Sequence, residues 1–397
     1  MSIIALPNDQ TQNNQEHSIS RANRPRATII GGSLSGLFTA TALRAVGWDV
    51  KLFEQSPNEL DSRGGGIVLQ PDVLEAFRFG GVKLPVSPGV DSGDRIYLDQ
   101  NDRIIEQFYM PQTQTSWSLI YSAMRRALPI DVIHPGERFT HLEQTGESVK
   151  AYFESDRVEE SDLLIGADGG RSTVRAQLLP DSQPSYAGYI AWRGLVEENE
   201  LPIDAANVLR DRFTFQQGDA HLILVYLVPG ENGATEAGKR RWNWVWYRPM
   251  SSDSLSALML DRNGTQRSNS LPPGTTKDAD IAELRSAASR LLAPTLQVLV
   301  HVTKEPFVQA IQDLRVEQMV FGRTILLGDA AYIPRPHTAG STAKAAANAV
   351  ALAQALSRGG ARLQSALAGW EQQQRRLGTS MSELGISLGD RIMKLRR

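Results

Sequence analysis

The sequence contains no cysteine among its 397 residues. Disulfides, thiolate metal sites and cysteine nucleophiles are therefore excluded, and so are reductases that work through a redox-active disulfide. No apolar run approaches the roughly 20 residues that a membrane-spanning helix needs. The 42 basic and 44 acidic side chains nearly balance, which favours neither nucleic acid nor an anionic membrane as a partner. We expect a cytoplasmic protein without a metal site.

The first 25 residues differ from the rest of the chain. They are polar, rich in Gln and Asn, and lack the apolar core of a signal peptide. Such a composition is typical of a disordered leader. The remaining length is sufficient for two domains.

A βαβ unit is predicted directly after this leader. Residues 27–30 are apolar and predict a strand, and residues 35–46 have the amphipathic periodicity of a helix. Gly47 ends that helix, and residues 50–54 predict a second strand. The unit has the length that is usual for two parallel strands joined by a helix.

The turn between the first strand and the helix reads GGSLSG. In a dinucleotide-binding turn, glycines permit the tight bend, the approach of amides to the pyrophosphate and close helix packing. Ser33 takes the place of the middle glycine, and its hydroxyl can itself donate to a phosphate. Glu54 ends the second strand, where an acid accepts a ribose hydroxyl. The predicted cofactor contacts of this unit are Gly31, Gly32, Ser33, Leu34, Ser35, Gly36, Glu54, Gln55 and Arg63.

Two later segments repeat a strand followed by a glycine turn. One places Asp168 in an Asp-Gly turn, and the other places Asp329 in a Gly-Asp turn. A carboxylate at the carboxyl end of a parallel strand lies where open α/β sheets bind ligands. The second turn leads into an Ala-rich helix that begins near Gly340, and its N-terminal amides can stabilise negative charge. Asp168, Asp329 and Gly340 complete the predicted cofactor site.

The middle of the chain has the pattern of a separate sheet. Residues 186–249 alternate aromatic and β-branched side chains, which is typical of antiparallel strands. Four of the seven tryptophans fall there, which indicates a core of its own. A helix is predicted over residues 278–299.

The predicted fold class is α/β, with a discontinuous Rossmann-like domain, an inserted antiparallel β-sheet substrate domain and a C-terminal helix. The predicted divisions are a leader (1–25), a nucleotide-binding domain (26–90, 116–180 and 315–375), a substrate domain (91–115 and 181–314) and a helical tail (376–397).

These motifs, in this order, resemble the single-component FAD-dependent aromatic hydroxylases of the p-hydroxybenzoate hydroxylase type. The matching positions are Gly31, Gly36, Glu54, Asp168, Gly169, Ser172, Arg175, Gly328 and Asp329. Within this family, the stretches GGSLSG, YAGYIAWRG and RPHTAGSTAKA are most similar to the 2,6-dihydroxypyridine 3-monooxygenase branch.

The resemblance implies an FAD enzyme that consumes NADPH or NADH, bound only transiently, and O2. In this family a flavin hydroperoxide transfers oxygen to an electron-rich phenol-like or hydroxypyridine-like ring, while the protein orients the reactants and excludes water. We also expect a homodimer.

The sequence departs from the family pattern at three places. Ala339, Gly340 and Ser341 replace the usual G-Q-G after the proline. Tyr332 stands where many members have a histidine, and Trp117 lies near the position of a cofactor-binding arginine. Arg63 is a candidate to replace that arginine.

Hydroxylation needs the ring oxygen deprotonated, so a base or proton relay is expected. The predicted substrate-side residues are His337, Pro336, His221, Tyr189, Trp192 and Arg193. His337 is the strongest candidate because it precedes the helix where the family brings its loop to the flavin. Arg193 is a candidate to orient an anionic substrate.

Three other functions remain open from the sequence. A flavin dehydrogenase could use the same fold, and a non-catalytic FAD-fold module could keep it for binding alone. WNWVWYRP resembles the W-x-W-x-I-P motif of flavin-dependent halogenases, with Arg248 in place of the isoleucine. We interpret these tryptophans as packing residues of the inserted sheet.

Overall fold

A computed structural model describes residues 24–60, 65–84, 87–358 and 363–395 of the chain. Most of the predicted leader and Arg63 lie outside these residues. The strands, in chain order, are β1 (Arg26–Ile30), β2 (Asp49–Glu54), β3 (Gly66–Val68), β4 (Val90–Leu98), β5 (Ile104–Ser116), β6 (Ile133–Pro135), β7 (Phe139–Gln144), β8 (Val149–Phe153), β9 (Val158–Ser161), β10 (Leu163–Gly166), β11 (Ser185–Glu197), β12 (Arg212–Gly218), β13 (His221–Val228), β14 (Arg241–Pro249), β15 (Ser270–Leu271), β16 (Phe307–Arg315), β17 (Val320–Phe321), β18 (Thr324–Leu326) and β19 (Tyr332–Ile333).

The helices alternate with these strands in the first and last parts of the chain. They are α1 (Leu34–Ala45), α2 (Pro71–Phe79), α3 (Trp117–Arg126), α4 (Thr173–Leu178), α5 (Ile203–Leu209), α6 (Ser252–Leu258), α7 (Asp278–Leu291), α8 (Pro294–Val302), α9 (Ser341–Arg358) and α10 (Leu363–Met393). None of the helices in the described ranges is long and apolar enough to cross a membrane.

The first sheet has the order β17-β18-β10-β1-β2-β6. All neighbouring pairs are parallel except β17 and β18. Strands β1 and β10 are buried along their length except at Arg26, as is usual for parallel strands that are covered on both faces. The carboxyl ends of β1, β2, β10 and β18 therefore lie along one edge, and each is followed by one of the predicted cofactor-binding segments.

The second sheet is mixed and has the order β15-β16-β11-β14-β13-β12-β4-β5-β3. Its pairs are antiparallel apart from β4 and β12, which run parallel. This corrects the expectation of a purely antiparallel sheet. Strands β4 and β12 are far apart along the chain, with strands of the first sheet between them, so no hairpin joins them and they can run parallel. A third, small sheet of β7, β8 and β9 was not predicted.

The second sheet has a different core on each face. One face carries Trp192, Trp242, Trp244 and Trp246, packed against helices α7 and α8 in one cluster. The interpretation of the tryptophan run as packing residues is thus confirmed. The other face carries tyrosine and phenylalanine side chains in a separate cluster. This face lies opposite the loops that follow strands of the first sheet.

Two predicted helices differ from the structure. The helix expected over residues 278–299 is two helices, because Pro294 cannot continue α7 and Ala293 before it is extended. The helical tail expected from residue 376 is the second half of α10, which begins at Leu363. The predicted division into two domains stays a prediction.

Candidate active site

The turn between β1 and α1 is a tight glycine turn that leads into the N-terminus of α1. Gly31 has a φ of +107°, and a Cβ there would lie 2.5 Å from the carbonyl oxygen of Ala167. A Cβ at Gly36 would overlap the carbonyl oxygen of Gly31. Ser33 is the N-cap of α1, but its side chain makes no capping hydrogen bond. The first amides of α1, which include Leu34 and Ser35, have no partners within the helix and fit a pyrophosphate.

Glu54 lies beside this turn. Its Oε2 accepts a hydrogen bond from the amide of Gly32 at 2.7 Å, and its Oε1 accepts one from the amide of Ser56 at 2.8 Å. These bonds fix the carboxylate at the end of β2, where the remaining lone pairs can accept ribose hydroxyls. Gln55 follows it as an exposed residue.

Asp168 lies at the start of helix α4, whose N-cap is Ser172. Its Oδ2 accepts hydrogen bonds from the amides of Thr173 and Val174, while its buried Oδ1 has no hydrogen-bond partner within the described residues. Burial raises the pKa of this carboxyl. Arg175 is fully buried and donates to the carbonyls of Gly170 and Ala330. This arginine therefore ties the Asp-Gly turn to the Gly-Asp turn.

Asp329 pairs with a lysine that sequence reasoning did not assign to the site. Lys344 Nζ, on α9, donates to Asp329 Oδ1 at 2.5 Å and also to the carbonyl of Tyr332. Burial lowers the pKa of Lys344, whereas Asp329 opposes that shift. The Asp329 side chain is 48% exposed, so it can still accept hydroxyls of a long cofactor.

Tyr332 and Asn348 form a second network below this turn. Asn348 accepts from the amide of Gly328 and donates to Tyr332 Oη and to Gln374 Oε1. Tyr332, in the position where the family has a histidine, is thus a buried structural residue. Burial raises its pKa to about 12.

A cavity of about 1640 Å³ separates the second sheet from the loops of the first. Its floor is the tyrosine- and phenylalanine-bearing face of β4, β12, β13 and β14. Its roof comes from the segment after β3, from residues 336–339 and from the end of α10. Pro336 and His337, two of the predicted substrate-side residues, both lie in its wall. Gly340 lies just beyond, with its amide bonded to Thr338 Oγ1 at 3.2 Å.

His337 contacts two tyrosines of the sheet. Its Nε2 lies 3.0 Å from Tyr189 Oη, and its ring centroid lies 4.6 Å from that of Tyr247. Burial, followed by the nearby Arg335 charge, lowers the pKa of His337 to about 4. Burial raises the pKa of both tyrosines. All three groups are therefore neutral at pH 7.

Arg335 anchors the loop that carries His337. It is fully buried, and it pairs with Asp313 at 2.7 Å on β16 and with Asp390 at 2.7 Å on α10. Its guanidinium carbon also lies 5.5 Å from the ring centre of Tyr189. Burial acts to lower the pKa of Arg335, but the two aspartates outweigh it and raise the pKa.

The three predicted pocket residues of β11 do not share a face. Tyr189 belongs to the core on the cavity side, and the Arg193 side chain lies next to Gly65. Trp192 belongs to the tryptophan core on the opposite side. Alternation along β11 therefore corrects the expectation that all three residues face one pocket.

His221 is also turned away from the cavity. Its Nδ1 accepts a hydrogen bond from Trp246 Nε1 at 3.2 Å, and it is buried. Burial lowers its pKa. Its neighbour Leu222 lines the cavity instead. The side chain that faces the cavity is therefore that of the next residue along β13, not that of His221.

Several residues of the site were missed by sequence reasoning. They are Tyr247, Arg335, Lys344, Arg95 and the α10 residues Leu388 and Ile392. One signal was available, because Gly378, Ser382, Gly385 and Gly389 recur on one face of a helix. That spacing indicates a helix packed closely against something, although it does not identify the neighbour.

Comparison with known proteins gives consistent likenesses. A sequence profile described as FAD binding domain-like matches residues 186–313. The chain is 33% identical to 2,6-dihydroxypyridine 3-monooxygenase of Paenarthrobacter nicotinovorans, over 89% of this chain and 88% of that protein. It is 26% identical to 6-hydroxynicotinate 3-monooxygenase of Bordetella bronchiseptica, over 83% and 82% of the two chains. The solved structure of 2,6-dihydroxypyridine-3-hydroxylase from Arthrobacter nicotinovorans superposes with a TM-score of 0.87, 32% identity and 93% coverage of both chains.

Proposed function

Since the chain belongs to the FAD-dependent aromatic-ring monooxygenases, we propose that its substrate is a hydroxylated pyridine or a closely similar phenol. The enzyme consumes NADPH or NADH and O2 and hydroxylates an electron-rich aromatic or N-heteroaromatic ring. Bound FAD supplies the electron transfer and oxygen activation. The two relatives compared above act, by name, on hydroxylated pyridines, which supports this substrate class.

The FAD-holding residues follow from the turns at the edge of the first sheet. The amides at the start of α1 would hold the pyrophosphate, Glu54 would accept ribose hydroxyls, and Asp329 would accept hydroxyls of the ribityl chain. Two observations support this assignment. A Cβ at Gly31 or Gly36 would overlap neighbouring backbone atoms, so only glycine fits this tight turn. Asp168 Oδ1 is buried without a hydrogen-bond partner among the described residues.

The observation that carries the proposed chemistry is neutral His337 in the cavity wall. Its Nδ1 makes no hydrogen bond within the described part of the chain, while Nε2 lies against Tyr189 Oη. When Nε2–H donates to Tyr189, Nδ1 is the acceptor and can take the proton of a ring hydroxyl. Because its pKa is about 4, the imidazole is in its base form at neutral pH.

The alternatives lack comparable support. The tryptophans of the halogenase-like stretch are buried in the sheet core, and Lys344 is held by Asp329. A cytoplasmic location and a homodimer remain predictions.

The substrate class is tested with the purified holoenzyme and a panel of 2,6-dihydroxypyridine, 6-hydroxynicotinate and phenol. We expect a hydroxypyridine to stimulate NADPH or NADH oxidation with a matching yield of hydroxylated product. Oxidation without hydroxylated product for every compound contradicts the proposal.

The role of His337 is tested by His337→Gln, which retains a hydrogen-bonding side chain but cannot accept the proton. The rate of product formation should fall about 10²- to 10⁴-fold at unchanged FAD content. His301→Gln is the matched control, because His301 is exposed and, among the described residues, bonds only to Ser289. An unchanged rate in His337→Gln removes the assigned role.

A further inference from the structure

The cavity extends well beyond His337. Tyr247, which His337 contacts, lies on β14, whereas Arg95 in the same cavity wall lies on β4. Strands β13 and β12 lie between them. Three strand spacings correspond to about 14 Å, more than the width of a single aromatic ring. The cavity floor therefore has a proximal part at His337 and a distal part at Arg95.

The distal part is an aromatic surface. Phe213 and Phe215 stack with centroids 4.6 Å apart, and Phe215 stacks on Tyr97 at 5.1 Å. The Arg95 guanidinium carbon lies 5.5 Å and 5.1 Å from the centres of the two phenylalanine rings. Cation–π contact on this surface holds the guanidinium but leaves its N–H groups unused.

Arg95 has no anionic partner among the described residues. It makes no ion pair or hydrogen bond there, and its Nε is buried without an acceptor. Asp91 accepts from Thr113 and Asp94 accepts from Gln107, and Asp211, which also lines the cavity, makes no ion pair with Arg95 in the described part of the chain. A half-buried guanidinium without a carboxylate has donors available for a ligand.

Resting on the proposed function, we propose that Arg95, Phe213 and Phe215 form a distal subsite for a carboxylate carried by the aromatic substrate beyond its reacting ring. A guanidinium presents paired N–H donors in the plane that a carboxylate accepts. The separation from His337 requires that a second ring or a side chain join the carboxylate to the hydroxylated ring.

The probes are 4′-hydroxybiphenyl-4-carboxylate and its carboxamide, which differ in charge but hardly in shape. Binding of each to the FAD-loaded protein is measured by isothermal titration calorimetry. We expect the carboxylate to bind about tenfold or more tightly than the amide, as for a charge-assisted hydrogen bond. Arg95→Gln should bring this ratio close to one, and Arg95→Lys should retain part of it.

Arg103→Gln is the matched control, because Arg103 is exposed on the same β4–β5 hairpin outside the cavity wall. It should keep the full preference. Equal affinities in the wild type, binding of neither biphenyl, or a preference that survives Arg95→Gln overturns the subsite. Failure of the hydroxypyridine panel with a preserved, Arg95-dependent preference would instead contradict the proposed function alone.

Discussion

Burial decides the protonation state of His337, and it also gives the folded protein a pH dependence. The pKa of the imidazole is about 4 in the folded chain, below the roughly 6.5 of an unfolded histidine. Between these values the unfolded chain binds a proton that the folded chain does not. His337 therefore has no effect on the free energy of unfolding above about pH 7, and it lowers that free energy as the pH falls from 6.5 toward 4.

This dependence can be measured by urea unfolding at pH 7 and pH 5. The wild type should lose about 1–2 kcal/mol more stability between these pH values than His337→Gln does. Other histidines, including His221 and His134, titrate in both proteins and cancel in the difference. Equal losses of stability in the two proteins would show that the pKa of His337 is the same in the folded and the unfolded chain.

Two roles of Asp329 can be separated, namely its proposed contact with FAD and its pairing with buried Lys344. Asp329→Ala should weaken FAD retention and also lower the free energy of unfolding, by about 1–3 kcal/mol, because the lysine loses its partner. The double variant Asp329→Ala/Lys344→Met should recover stability without recovering FAD. Flavin absorbance after gel filtration and urea midpoints measure the two effects. Unchanged flavin content in both variants contradicts the cofactor role.

The element that we propose to bind the cofactor's phosphates is the turn between β1 and α1. Ser33 has a φ of −80° and no capping hydrogen bond, so neither strain nor the cap requires glycine or serine there. Gly31 differs, since both its φ of +107° and the Ala167 carbonyl oppose a side chain.

Ser33→Gly and Gly31→Ala form a matched pair. Ser33→Gly should keep FAD bound and lower stability by less than about 1 kcal/mol. Gly31→Ala should lose most of the FAD, because the added Cβ must push β10 away from the turn. Thermal unfolding and the flavin-to-protein absorbance ratio report the outcomes. Complete flavin loss in Ser33→Gly would mean that the hydroxyl is required for binding.

Helix α10 joins the two sheets of the molecule. A Cβ at Gly389 would lie 2.7 Å from Tyr189 Oη and 2.8 Å from an Arg335 nitrogen, whereas a Cβ at Gly369 meets nothing within 4 Å. The same helix thus contains one glycine required by close packing and one that is not.

Gly389→Ala should destabilise the protein by about 1–3 kcal/mol. Gly369→Ala should stabilise it by up to about 1 kcal/mol through helix propensity. Urea midpoints measure both changes. Gly389→Ala should also slow product formation, since it displaces the groups beside His337. Equal midpoints for the two variants would contradict the close packing.

The sequence predicts the parts of the fold that depend on near neighbours. The βαβ unit, Glu54 at the end of β2 and Asp329 at the end of β18 follow from local periodicity and turn chemistry. The face that Trp192 occupies depends on how β11 pairs with β14, which alternation alone leaves undetermined. Arg335 pairs with Asp313 and Asp390. Both partners lie far from it along the chain, so no local pattern reveals the pairs.

The order of strands in the first sheet has a consequence during synthesis on the ribosome. Strand β1 pairs with β10, and β10 pairs in turn with β18. The glycine turn emerges early, but its sheet is completed only after Thr324–Leu326 has been translated. Until then apolar strand edges stay unpaired and prone to aggregation. We therefore expect the nascent chain to depend on chaperones and to acquire FAD only after most of it has been made.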